Sequence, residues 1–179
     1  MSRRDVVLVI WPPAEVGSSR PREFFRVDPF AEAVGRTLGR SVSIVEGTLA
    51  DVGDAGAILY FNGGAELSAT PSEVVERVVW MLVGRQTREL YDRYPVPATV
   101  SLMHYLSLTH RGKEDLTGRV WVRSSFAERI EGAEIEYQGM PGIVRIVHPR
   151  YPSLPSLIAA VCATVMGEPL PRVDGDALR

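Results

Sequence analysis

The tightest constraint in the sequence is the run Val6 to Ile10, VVLVI, which is apolar throughout, mostly β-branched, and closed off by Pro12-Pro13. A strand with no polar position has no face to give to water. It is buried on both sides, as parallel strands are when other elements cover their sheet. Similar runs recur along the chain. Ser41 to Val45 and Gly56 to Phe61 (GAILYF) read as a second and third strand, and Arg119 to Arg123 (RVWVR) as a later one. Thr99 to Leu108 is preferred as a strand with Val100, Leu102, His104, Leu106 and Leu108 on one face, although a helix starting at Pro97 also fits. The segment EGTLADVGDA is too short and too broken for a good crossover helix. Strands two and three are therefore either antiparallel neighbours or joined by a short irregular crossover.

Helical patterns lie between these runs. Asp28 is a good N-cap, Pro29 a good first helical residue, and Phe30, Val34 and Leu38 repeat at helical spacing before Gly39. Thr70, Pro71 and Glu73 form a capping-box signature ahead of Val74, Val78, Met81 and Leu82, which predicts a helix that opens at Pro71, carries this apolar stripe to Leu82 and is stopped only by Pro95 and Pro97. Beyond Gly84, Arg85–Glu89, Arg88–Asp92 and Glu89–Arg93 are opposite charges at i,i+4 spacing and predict a solvated face. SSFAERIEG predicts a short helix capped by Ser124 or Ser125. AEIEYQGMPGIVRIVH predicts a hairpin turning at Gly139 to Gly142. The last helix, 154–167, is apolar nearly all round and stops at Gly167.

Strands and helices alternate for most of the length, so the expected fold is α/β. It is a single-domain, three-layer arrangement over residues 1–170, with a mostly parallel sheet, helices on both faces and an antiparallel edge hairpin. A polar C-terminal tail, 171–179, follows. The length of 179 residues and the 45% hydrophobic content suit one such core.

Composition excludes several functions. A net charge of −2 offers no broad positive field, so a nucleic-acid partner is not expected. Cys162 is the single cysteine, which rules out an intrachain disulfide and a Cys-based metal site. Its apolar neighbours predict a small buried hydrophobe rather than a nucleophile. The run after Arg3-Arg4 is too short for a signal peptide, and Leu157 to Met166 is too short to span a bilayer, so a cytoplasmic protein with no membrane partner is expected. The small residues of the 154–167 helix allow close helix approach and suggest a homo-oligomer formed through it.

In open α/β sheets, ligands bind outside the carboxyl ends of the strands. If all strands run parallel, those ends deliver Trp11, Asn62-Gly63-Gly64, His104 to His110 and Arg123-Ser124-Ser125 to one rim. The expected ligand is a phosphate-bearing small molecule such as a nucleotide. Its contacts would be Asn62, Gly63, Gly64, Arg123, Ser124 and Ser125, with His110 and Arg22 reaching in from loops. Paired glycines permit positive φ and close approach of backbone N–H groups to an anion. With the helix expected to start only at Pro71, Gly63-Gly64 does not form a standard strand–turn–helix clamp. Gly112-Lys113 lacks the rest of a phosphate-binding loop, since Ser107 and Glu114 stand where glycine and a hydroxyl residue are needed. His104 and His110 cannot share an ion on one regular strand or helix, so no metal is expected. No motif specifies a cofactor or a catalytic group. The competing expectation is a non-catalytic assembly subunit acting through its surface.

Overall fold

A computed structural model of the chain describes residues 5–10, 27–61, 65–82, 92–101, 119–137, 139 and 141–173. Its elements are β1 (Val6–Ile10), α1 (Val27–Leu38), β2 (Val42–Glu46), a 3-10 turn (Leu49–Asp51), β3 (Ala57–Phe61), α2 (Ala65–Ser68), α3 (Ser72–Val75) and β4 (Val78–Leu82). After these come β5 (Ala98–Ser101), β6 (Arg119–Arg123), α4 (Ser124–Ala127), β7 (Glu134–Tyr137), β8 (Ile143–Val147) and α5 (Leu154–Val165).

The strands make one eight-stranded sheet in the order β2-β1-β3-β4-β5-β6-β8-β7. β2, β1, β3, β4 and β5 are all parallel. From there the sheet turns antiparallel, through β5–β6, β6–β8 and the β7–β8 hairpin. The α/β class and the antiparallel hairpin thus match the expectation from sequence. Strands two and three do not pair with each other. β1 lies between them and runs parallel to both.

The expected burial of VVLVI on both sides is realised. Val6, Leu8 and Ile10 join one cluster with Phe30, Ala31 and Val34 of α1 and with Leu157, Ile158 and Val161 of α5. Val7 and Val9 join a second cluster with Leu49, Val52, Leu67, Val75 and Trp80. Strand periodicity sends alternate residues to opposite faces, so each run serves two clusters. The apolar character of α5 is used inside the chain: Ala159, Ala160, Val161 and Cys162 are fully buried, in a helix packed against α1 and the sheet. Ser153 caps α5 through Ser156 N at 3.3 Å, and Gly167, at φ +71°, ends it. α1 packs closely where Gly35 has no side chain. A Cβ there would lie 2.5 Å from the Arg40 carbonyl oxygen.

The helix expected from Pro71 through Leu82 towards Pro95 is corrected over its described part. A helix begins at Ser72 but ends after one turn at Val75, and Val78–Leu82 is a central parallel strand. Thr70 is not its cap, because its hydroxyl donates backwards to the Glu66 carbonyl at 2.7 Å. Val78, Val79 and Trp80 gain strand partners in β3, and buried β-branched residues favour that outcome over helix propensity. Arg77 secures the switch from helix to strand. It is buried, and its guanidinium donates to the Glu73 carbonyl at 3.0 Å and to the Ala55 carbonyl.

The expected strand Thr99–Leu108 is a strand over Ala98–Ser101, and its remainder lies outside the described residues. So do Arg85, Arg88 and Glu89 of the charge pairs, whereas Asp92 and Arg93 are described. The start of the C-terminal tail is packed: Val173 lies against the core and the Tyr151 hydroxyl donates to the Pro171 carbonyl. Among the described residues, no helix is long and apolar enough to cross a membrane.

Candidate functional site

Parallel pairing brings the last residues of β1, β3, β4 and β5, namely Ile10, Phe61, Leu82 and Ser101, to one rim of the sheet. Asn62, Gly63 and Gly64 continue directly from β3 and lie outside the described residues, as do His110 and Arg22. The groups on either side of the glycines are well defined. Tyr60 donates its hydroxyl to Glu66 Oε2 at 2.6 Å, and Glu66 Oε1 accepts the Leu49 N–H at 2.5 Å. The Glu66 carboxylate therefore ties the end of β3, the start of α2 and the 3-10 turn together. Burial, reinforced by the nearby Glu66 carboxylate, pushes the Tyr60 hydroxyl well above its usual pKa, so it is a permanent donor here.

The expectation that no helix follows the glycines closely is also corrected, since α2 begins at Ala65. The order is strand, glycine pair, helix. Yet α2 has only four residues, too few to build a useful dipole, and it carries Glu66 in its first turn.

Arg123, Ser124 and Ser125 do not join that rim. β6 runs antiparallel to β5, so its carboxyl end lies at the opposite rim of the sheet. Arg123 donates from Nε to the Val96 carbonyl at 3.2 Å and from Nη2 to the Tyr94 carbonyl at 3.3 Å, ahead of the amino end of β5. The Ser124 N–H donates to the Gly142 carbonyl at 2.9 Å. Neither serine caps α4, whose N-cap is Arg123 and carries no side-chain capping bond. Arg123 thus fastens the β6–α4 junction to the segment that enters β5.

The remaining reactive side chains are structurally engaged. Burial pushes the Cys162 thiol up to about 12, which removes thiolate character at neutral pH. His148 is buried, with Nε2 2.8 Å from the Glu131 carbonyl and Nδ1 accepting the Arg150 N–H at 3.1 Å. Both ring nitrogens are used by the neutral ring with its hydrogen on Nε2. His104 lies outside the described residues. Among the described residues, no group of three or more His, Cys, Asp or Glu side chains is arranged to hold a metal ion.

A second constellation lies on the antiparallel half. Thr99, Trp121, Arg145 and Glu136 are successive cross-strand partners in β5, β6, β8 and β7, so they form one row on one face. Arg145 Nη1 pairs with Glu136 Oε2 at 3.3 Å. Trp121 Nε1 and Arg145 Nε are buried, and among the described residues neither has a hydrogen-bond partner. A buried donor without a partner costs about 1–3 kcal/mol. The signal for this row was present in the alternation Arg119-x-Trp121-x-Arg123 and Ile143-x-Arg145. It becomes readable only once the register of the two strands is known.

A separate open groove of about 470 Å³ runs between α1 and β2, lined by Asp28, Glu32, Arg36 and Arg40 among others. Its lining mixes both signs of charge along one helix face, which is the usual pattern of a solvated helix. Comparison of the chain with family models, with curated proteins and with solved structures returns no match.

Proposed function

We propose that the chain is a small α/β domain that binds a phosphate-bearing small molecule outside the carboxyl ends of β1 and β3. The observation that carries this reading is the strand order. β1 has β2 on one side and β3 on the other, so the chain leaves β1 towards one edge of the sheet and later continues towards the opposite edge. In parallel sheets of this order, 2-1-3-4-5, ligands sit at the divide between strands 1 and 3. Asn62, Gly63 and Gly64 follow β3 in the sequence, and Arg22 and His110 belong to the segments that follow β1 and β5. Helices on both faces, in three layers, belong to the same reading. The second apolar cluster supports this, since it includes Leu49, Leu67 and Val75 from short helical segments.

Native mass spectrometry of freshly purified protein, followed by thermal shifts with nucleotides and sugar phosphates, tests the reading. A mass excess lost on denaturation, or a melting point raised by one of these compounds, is expected. Gly63→Val should abolish the shift, whereas Arg123→Ala should lower the melting point and keep it. No retained mass and no shift across the panel, or a shift that survives Gly63→Val, would overturn the assignment.

A second reading, that the chain acts as a homo-oligomeric assembly subunit, is favoured by β7. This edge strand exposes Tyr137 at 78% and Ile135 at 38% on one face. The surface for such assembly is then β7 and not the 154–167 helix, whose apolar residues are buried within one chain. The subunit count in the same native spectra, with and without Tyr137→Lys, tests it.

A further inference from the structure

The row across β5, β6, β8 and β7 presents two buried donors in adjacent positions. Trp121 and Arg145 are direct cross-strand partners, and such pairs hold their Cβ atoms about 4.5–5.5 Å apart. Trp121 is 9% exposed, yet its indole Nε1 meets no acceptor among the described residues. Arg145 meets Glu136 through Nη1 alone, which leaves its buried Nε unpartnered among the described residues. An indole N–H and a guanidinium N–H can only donate, so whatever satisfies both must be an acceptor. Arg123, two positions along β6 on the same face, adds a second positive charge.

We propose that this row is a ligand site, distinct from the carboxyl rim, which takes a carboxylate or phosphate group of a small molecule between the Trp121 indole and the Arg145 guanidinium. An oxyanion suits the pair better than a neutral acceptor does. Its oxygens accept several hydrogen bonds at once, and the fork of an arginine matches carboxylate and phosphate geometry. Glu136 then acts as an internal competitor, since it already draws on the same guanidinium at 3.3 Å. A buried water is the rival occupant: it would satisfy two donors but would not respond to added anions.

The test reads the Trp121 indole N–H directly in ¹H–¹⁵N spectra of the full chain. Sodium acetate and sodium phosphate are titrated separately at ionic strength held constant with chloride. A saturable shift of the Trp121 indole signal is expected with at least one of them, and the arm that saturates at lower concentration names the group. Arg145→Gln should weaken that response roughly tenfold or more, the usual effect of losing a hydrogen bond from a charged donor. Glu136→Gln should tighten it by removing the competitor, which a purely structural arginine would not produce. This arm decides the matter if Arg145→Gln does not fold. Gly63→Val should leave the response intact, so failure of the carboxyl-rim reading and failure of this one are separable. No saturable shift with either anion, a response unchanged in Arg145→Gln, or one that does not tighten in Glu136→Gln would overturn the proposal.

Discussion

The two halves of the sheet handle their polar groups differently. In the parallel half, β1 and β3 are buried along their full length, and their side chains feed two apolar clusters in alternation. Chemistry there is confined to strand ends, because no polar side chain lies along these faces except the Tyr60 hydroxyl, which Glu66 satisfies. In the antiparallel half, one face is equally apolar, with Val120, Val122, Val144 and Ile146 against the helix side. The other carries Thr99, Trp121, Arg145 and Glu136. Antiparallel sheets commonly spare one face from the core, and this one uses the freedom to place charge beside a buried indole. The two proposed sites accordingly fall at the rim of one half and on the face of the other.

The largest contrast should come from charge burial. Ala160→Asp places a carboxylate in a helix position with no exposure, and it should unfold the chain outright, a loss of about 4 kcal/mol or more. Tyr137→Lys on the β7 edge should change stability by no more than about 0.5 kcal/mol. Urea denaturation with size-exclusion chromatography checks both. If Ala160→Asp gave a folded monomer from a dissociated oligomer, α5 would be an interface and not core.

Cavity formation should follow the same division. Ile58→Ala removes a side chain buried in β3 and should cost about 2–5 kcal/mol, whereas Ile135→Ala on the exposed β7 edge should cost under about 1 kcal/mol. Equal costs would erase the distinction between the halves. Gly35→Ala drives a Cβ to 2.5 Å from a backbone oxygen and should cost about 1–3 kcal/mol by overpacking, measured as a lower denaturation midpoint.

Much of the parallel half was legible in the sequence, because double burial leaves a continuous apolar signature at VVLVI and AILYF. The hairpin was legible from Gly139 and Gly142, which take φ of +80° and +78° in its turn. β4 was misread because the Thr70-Pro71-Ser72-Glu73 signal is local and real for one turn. The partners that make Val78–Leu82 a strand are distant in sequence. The placement of Arg123, Ser124 and Ser125 was illegible for another reason. RVWVR carries no mark of its direction, so the sequence alone does not say at which rim its carboxyl end lies, and antiparallel pairing with β5 decides it. The Trp121–Arg145 pair depends on register between β6 and β8, which neither strand encodes alone.

The smallest effects concern titration. The Tyr60 hydroxyl is raised above its ordinary pKa of about 10, so the unfolded chain loses this proton first as pH rises. Its contribution is fully present below about pH 10 and declines above it. Tyr60→Phe should flatten the alkaline fall in stability, and an unchanged slope would remove the hydroxyl from that role. Cys162, raised to about 12, should react with thiol reagents at pH 8 only as fast as the chain opens.

Native-state hydrogen exchange, read amide by amide, tests the contrast between the halves most directly. The expected result is that Leu8, Leu59 and Val79 exchange only through global unfolding, while β7 and its partner β8 open locally and exchange much faster. Uniform protection from β1 to β7 would contradict it, and would mean that the charged row is as firmly closed as the parallel core.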